Sequence, residues 1–387
     1  MTAIQNYSVL IDSIFGAGTT TFDTTTSLIN KVTGALQHPT EYLEFKSNFT
    51  ARLHRLKKIY STHPDYLREI IVQANLIADN SNWEGAFSEL ATYDHLNHDI
   101  LNHKVYIHNP IQPNVTLSKT VSFAAECGKH ETNLDGFVED RPLYFDVKCF
   151  KDNVTEILEG VYKDLKKHLG TGDIHITAEH ALDTSYDDYK TKRRQLLNEL
   201  KSGITVVKKQ TYFRSSVIPR LSFRILWGAG ILKAEKTYAP FTHAEKFHKT
   251  VFNYANKLMK NEPTVIVLVI FPWYNLVVTD FLDSNFDLYR AMSRRVFCQY
   301  KHDTTLFQTF NTKFTGTQTI YEISNYISGI IFLEDRTILS KEPNSTNVKS
   351  FVYLNPNAVN QLTNSLAGDY ILGLHNSAYD DFKNDNY

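Results

Sequence analysis

The sequence predicts an α/β protein: a mixed central sheet flanked by helices, with a helical region ahead of it. Three observations carry this reading. Thr264 to Phe271 is apolar without alternation, and Ile327 to Leu333 (Ile-Ser-Gly-Ile-Ile-Phe-Leu) reads as a second buried strand; apolar runs without alternation belong to strands buried on both faces. Leu143 to Phe150 is rich in aromatic and β-branched residues and follows a turn made by Glu139, Asp140, Arg141 and Pro142, which makes a β-hairpin of residues 134–150. Between the strands lie segments with apolar residues at helical spacing, Asp152 to Leu169 and Phe241 to Lys260 among them. Strands interleaved with helices build sheets covered on both faces.

Taken in order, residues 1 to about 80 read as helical, most clearly over Tyr42 to Tyr60 and Pro64 to Ala78, with Thr19 to Thr26 as a loop. His54, Arg55, Lys57 and Lys58 form a small basic patch that suits a solvated helix face. Asn82 to Leu96 is a helix whose apolar stripe runs through Phe87, Leu90 and Leu96, with Glu89 flanking the stripe. Val105 to His108 reads as a short strand, a Pro/Asn loop follows, and Ser118 to Glu126 reads as the next strand. After the hairpin comes the helix Asp152 to Leu169; its C-terminal cations Lys163, Lys166, Lys167 and His168 suit the helix dipole. Tyr186 to Lys201 is a charged, exposed helix, and Ile204 to Val207 and Leu221 to Trp227 are strands. Phe286 to Cys298 is a helix, Phe351 to Leu354 a short strand, Asn355 to Ala358 a turn, and the polar tail after Tyr379 is expected to fray. No linker divides the chain. The expected organisation is a helical region over 1–80 and one domain over 81–387, with an insertion near 170–235.

The net charge of −1 supplies no global basic field, so any polyanion would have to be met by a local basic cleft. Three cysteines, Cys127, Cys149 and Cys298, are too few for a disulfide scaffold and lack zinc spacing, which fits a reducing compartment. Met1 to Gly18 lacks the charge and apolar core of a signal peptide, and the longest apolar run, Val265 to Trp273, is broken by Pro272 and far too short to span a bilayer. A cytoplasmic protein with no membrane segment is expected. There is no phosphate-binding Gly-Lys-Ser/Thr loop, Gly228-Ala229-Gly230 lacks the rest of a dinucleotide fingerprint, His95 and His98 lack the glutamate of a zinc-protease helix, and no serine elbow is present.

The chemistry concentrates in the hairpin. Strand side chains alternate, so Asp146 and Lys148 share one face while Phe145, Val147 and Cys149 share the other. Pairing across the hairpin brings Asp135 beside the charged face. Two carboxylates and a lysine on rigid strands suit Mg²⁺-dependent phosphodiester hydrolysis. The acid-x-Lys triplet alone carries little weight, because it recurs at Glu44-Phe45-Lys46, Asp164-Leu165-Lys166, Asp188-Tyr189-Lys190, Glu199-Leu200-Lys201 and Asp381-Phe382-Lys383. Those copies lie in helical or tail contexts, where residues i and i+2 do not share a face.

Glu89 on a helix, then Asp135-Gly136, then Asp146-Val147-Lys148 resembles the PD-(D/E)xK nuclease superfamily, the restriction-endonuclease-like fold. Leu134 stands where that family often has proline, and Asp146 where it more often has glutamate. The resemblance covers about residues 82–169. The helix at 241–260 and the strand at 264–271 would complete its αβββαβ core, or Ile204 to Val207 would complete it earlier. The resemblance implies Mg²⁺ held by Asp135, Asp146 and the Val147 carbonyl, with Glu89 completing the site. It implies that Lys148 holds or helps deprotonate the attacking water. Glu84, a turn and a half before Glu89, and Glu126 are the other acids that stand near the motif in sequence. The implied activity is a Mg²⁺-dependent DNA endonuclease, such as a type II restriction endonuclease or a related prokaryotic defence nuclease, working on DNA as a homodimer. An RNase or ligand-activated effector nuclease, and a non-catalytic nucleic-acid-binding protein on the same fold, are the alternatives.

Overall fold

The computed structural model describes residues 2–27, 29–38, 44–102, 109–139, 143–170, 174–179, 186–205, 212–227, 240–273, 285–336, 348–362, 376–383 and 385. Helices α1 (Ala3–Phe15), α2 (Lys31–Ala35), α3 (Phe45–Ile59) and α4 (Pro64–Leu76) lead to the long α5 (Trp83–Asn102). The antiparallel strands β1 (Gln112–Ser118), β2 (Glu131–Val138) and β3 (Leu143–Cys149) follow, then α6 (Asn153–Leu169). Next come β4 (Ile174–Glu179), α7 (Tyr186–Gly203), β5 (Tyr212–Arg214), β6 (Ser222–Trp227) and α8 (Pro240–Phe247), which runs into a 3₁₀-helix, His248–Lys257. The chain closes with β7 (Thr264–Ile270), α9 (Phe286–Cys298), α10 (Ile320–Ser324), β8 (Gly329–Asp335), β9 (Val348–Leu354) and β10 (Asn376–Asp380).

Seven strands form a mixed sheet in the order β1-β2-β3-β7-β8-β9-β10. Strands β3, β7 and β8 run parallel to one another. The neighbour of β3 is therefore Thr264–Ile270. Of the other proposed partner, Ile204 and Thr205 are not in a strand, and the rest of Ile204 to Val207 lies outside the described residues. Every residue of β7 and β8 is buried, as their unalternated apolar runs require.

The strand period sorts the core into two layers. Val265, Val267 and Val269 pack with Phe145 and Val147 against apolar residues of α1, α3, α4 and α5. Ile266, Leu268 and Ile270 face the opposite side, with residues of α8, the 3₁₀-helix, α9 and α10. A separate sheet, β4-β6-β5, packs with α6 and α7 around its own apolar cluster. The first layer also holds a buried ion cluster. Arg52 of α3, 1 % exposed, reaches Asp94 of α5 at 3.2 Å and Asp335 at the end of β8 at 2.9 Å. Arg55, read as part of a solvated patch, donates to the same Asp94.

Four expectations are corrected. Ser118 to Glu126 is not a strand: β1 ends at Ser118, and the following residues turn because their hydrogen bonds go elsewhere. Phe123 N–H donates to the Leu258 carbonyl, and Lys260 N–H to that of Val121, while the Phe123 ring is buried in the second layer. The loop expected before it contains β1 itself. Phe241 to Lys260 is not one α-helix, because it changes to 3₁₀ geometry at His248 and Tyr254 leaves helical backbone angles (φ −101°, ψ 16°). The described residues of the tail after Tyr379 are docked. Phe382 is 2 % exposed and stacks on Tyr353, and Arg290 pairs with Asp380 and Asp385. Val105 to His108 lies outside the described residues, as do Asp140, Arg141 and Pro142 of the hairpin turn. Among the described residues, no helix is long and apolar enough to cross a membrane.

Candidate active site

The hairpin pairs only near its closed end, through Val138–Leu143, Phe137–Tyr144 and Gly136–Phe145. Beyond that point β2 stays with β1 and β3 stays with β7, so the two strands part and leave a fork. Asp135 and Asp146 are the first residues past the last pair. Gly136 makes the final pairing possible. A Cβ there would lie 2.0 Å from Cζ of Phe145, whose ring covers the glycine.

Inside the fork the backbone polar groups need new partners. The Val147 N–H, which has no ladder partner on the β2 side, donates to Asp135 Oδ2 at 2.7 Å. The Lys148 ammonium fills the remaining space. It lies 2.8 Å from Asp146 Oδ2 and 3.5 Å from Asp135 Oδ2, and donates to the Val147 carbonyl at 2.9 Å. One cation thus touches the three oxygens that the resemblance assigns to the metal.

Glu89 comes from α5, whose Phe87, Leu90 and Tyr93 are buried in the first core layer. It joins the site through Tyr93, whose hydroxyl donates to the Asp135 carbonyl and lies 3.4 Å from Glu89 Oε2. Glu84 and Glu126 are engaged elsewhere. Glu84 pairs with Lys151 at 2.8 Å and Glu126 with Lys260 at 2.7 Å.

Lys257 was not visible as a site residue in the sequence. Its ammonium lies 2.8 Å from Asp146 Oδ1 and also donates to the Asn133 carbonyl of β2. Tyr254 lies alongside, its ring 5.0 Å from the Lys148 ammonium. The two residues stand three apart in the 3₁₀ segment, which is kinked at Tyr254. Both belong to the segment expected as an ordinary helix, and no motif marks them.

The charges set the proton affinities. Burial, then the neighbouring Asp146, pushes Asp135 up to about 6. Burial, then Asp135, pushes Glu89 well above the usual carboxylate range. Burial alone would raise Asp146 too, but Lys148 and Lys257 more than offset it and hold this carboxyl below its ordinary value. Burial opposes the charge on Lys148; Asp146 and Asp135 overcome that and raise its pKa. Above about pH 6, two carboxylates therefore face two ammoniums.

The donor set suits a hard cation, which takes carboxylate and carbonyl oxygens, and an ammonium already stands among them. Among the described residues, His, Cys, Asp and Glu side chains nowhere gather in threes close enough to hold a metal ion by themselves. A cation here would depend on the Val147 carbonyl and on water as well as on Asp135 and Asp146. The charged helix α7 is partly paired. Arg193 of α7 meets Asp164 at 2.7 Å and Lys192 meets Asp188 at 3.6 Å. The chain matches no protein-family model, no curated protein and no solved structure.

Proposed function

We propose that the protein is a Mg²⁺-dependent endonuclease acting on DNA, with a restriction-endonuclease-like core formed by α5, β1, β2, β3, the α8 segment and β7. The observation that carries this is the convergence at the fork: one ammonium within 3.5 Å of the Asp135 and Asp146 carboxylates and hydrogen-bonded to the Val147 carbonyl. The strand arrangement supports it, since the antiparallel β1-β2-β3 set continues into a parallel neighbour reached through the second helical segment.

Asp135, Asp146 and the Val147 carbonyl would hold Mg²⁺, with Glu89 completing the set from α5. When bound, Mg²⁺ lowers the pKa of water and offsets the charge that develops on the phosphate. The chain's own groups divide the remaining work. Asp146, kept ionised by its two lysines, supplies a permanent carboxylate. Lys148, kept protonated by its carboxylates, acts as a cation and hydrogen-bond donor to the water and the phosphate, not as a base. A type II restriction endonuclease or a related prokaryotic defence nuclease, acting as a homodimer on the two strands, is the form this activity is proposed to take.

The test is cleavage of supercoiled plasmid, linear duplex, single-stranded DNA and RNA by purified protein in Mg²⁺ or in EDTA. Duplex DNA is the expected substrate. Asp146→Asn and Lys148→Ala should each lower the rate about 100- to 1,000-fold, the scale for removing one preorganised electrostatic group, with DNA binding retained. Preference for RNA would make it an RNase. Binding without cleavage of any substrate, in Mg²⁺ or Mn²⁺, would overturn the enzyme reading and leave a nucleic-acid-binding protein.

A further inference from the structure

Two ammoniums hold the one carboxylate of Asp146, one on each oxygen, and their surroundings differ. Lys148 sits on Oδ2 and also touches Asp135 and the Val147 carbonyl. It stands where the cation would stand. Lys257 sits on Oδ1 and also donates to the Asn133 carbonyl on the opposite strand. Lys257 therefore spans the fork from β3 to β2 without entering the space between the three oxygens.

We propose that Lys257 is a positioning residue of this site, holding Asp146 and tying the two strands of the fork together while Lys148 gives up its place to the divalent cation. This inference rests on the metal-site reading above and adds a division of labour to it.

The physical argument is one of competition. A cation and the Lys148 ammonium cannot occupy the same oxygens, so metal entry must expel the ammonium. The apparent affinity for metal is then reduced by the fraction of molecules in which the ammonium is in place. Asp146 is fully buried, and a buried carboxylate left with no cation is costly. Lys257 keeps a cation on its Oδ1 while Oδ2 passes from Lys148 to the metal. Beyond Gly136–Phe145 there are no ladder bonds between β2 and β3. Three contacts cross the fork there, the Lys257 bridge, the Asp135 bond to Val147 N–H and the Lys148–Asp135 ion pair, and the first two remain when Lys148 leaves.

The two lysines should therefore respond oppositely to removal. If each acted only through its positive charge, removing either would tighten the binding of a divalent cation. Under the proposal, Lys148→Met removes the competitor and tightens Mn²⁺ binding by about tenfold or more. Lys257→Met leaves Lys148 as the sole partner of Asp146 and loosens the fork, so Mn²⁺ binding weakens. Lys257→Arg, which keeps a cation near the two acceptors, stays closer to wild type than Lys257→Met.

The experiment is calorimetric titration of Mn²⁺ alone into the full chain and its three variants, without nucleic acid. Circular dichroism and thermal melting establish that each variant is folded, and the arginine variant serves if the methionine variant is not. Tightening in Lys148→Met together with weakening at position 257 supports the proposal. Equal tightening in both methionine variants, or no tightening in Lys148→Met, overturns it while leaving the metal site intact. Failure of the folded wild type and of every variant to bind Mn²⁺ overturns the metal-site reading and this proposal with it.

Discussion

Gly136 is the residue on which the fork turns, and replacing it with alanine gives a sharp test. The glycine is paired with Phe145 in the last rung before the strands part. A Cβ would fall 2.0, 2.4 and 2.5 Å from three ring carbons of Phe145, far inside van der Waals contact. The ring cannot swing away freely, because Phe145 is 2 % exposed and packed in the layer that contains α5, with the Tyr93 ring centroid 6.5 Å away. Overpacking a core by one methyl costs about 1–3 kcal/mol, and an obstacle this close to an immobilised ring puts Gly136→Ala at about 3 kcal/mol. Urea denaturation followed by circular dichroism measures it. The companion variant Phe145→Leu removes the ring. In the double mutant the alanine should be better tolerated, giving a coupling of at least about 1 kcal/mol in the cycle. A cost below about 0.5 kcal/mol for Gly136→Ala, the range of an indifferent surface substitution, or the absence of coupling to Phe145→Leu would refute the claim that this close approach shapes the fork.

Three further outcomes are expected. Arg52→Met takes a buried cation away from Asp94 and Asp335, leaving Asp94 to Arg55, and should cost about 3 kcal/mol in urea denaturation, the low end of the scale for breaking a buried ion pair; a loss under about 1 kcal/mol would mean the cluster does not hold α3 to the sheet. Phe382→Ala should cost about 3 kcal/mol because the ring is buried against Tyr353 and Phe297; no change in melting would restore the frayed tail. Asp135 is pushed up to about 6 by burial and by Asp146, so protons compete with a divalent cation below that value, and Mn²⁺ affinity should rise from about pH 5 to about pH 7 and then level. The same shift means that the folded chain binds this proton more tightly than the unfolded chain. The stability it contributes is present at low pH and lost as pH rises from about 4 to about 6. Asp135→Asn should remove that slope, and an unchanged slope would show that Asp135 is not its source.

The parts of the fold that were legible in the sequence are those whose signal is local. Strands β7 and β8 announce themselves because burial on both faces leaves apolar runs without alternation, Val265–Ile270 and Ile330–Leu333, and α6 because its apolar residues recur at helical spacing. β1 was hidden by Pro113 and Asn114, which read as loop. It is the edge of the sheet, where a residue without an N–H is tolerated, and Asn114 takes a left-handed φ of 52° that asparagine adopts more readily than most. Thr120, Val121 and Phe123 suit a strand, but the hydrogen-bond partners of this stretch, Leu258 and Lys260, lie well over a hundred residues away. The site divides in the same way. Asp135, Asp146 and Lys148 lie within one hairpin and obey its alternation, so their convergence could be anticipated. Lys257 and Tyr254 arrive from a distant segment through a 3₁₀ turn that helical spacing does not reveal. Arg55 reads as part of a solvated basic patch because its partner Asp94 is brought to it only by the packing of α3 on α5.

The central claim is that the fork between β2 and β3 is a divalent-cation site. Anomalous diffraction from crystals grown with Mn²⁺ tests it most directly. One anomalous peak is expected within ligand distance of the Asp135 and Asp146 carboxylates and the Val147 carbonyl, with the Lys148 ammonium displaced and Lys257 still on Asp146. A fork with Lys148 still seated among its three oxygens at saturating Mn²⁺, or a metal bound only elsewhere on the chain, would contradict it.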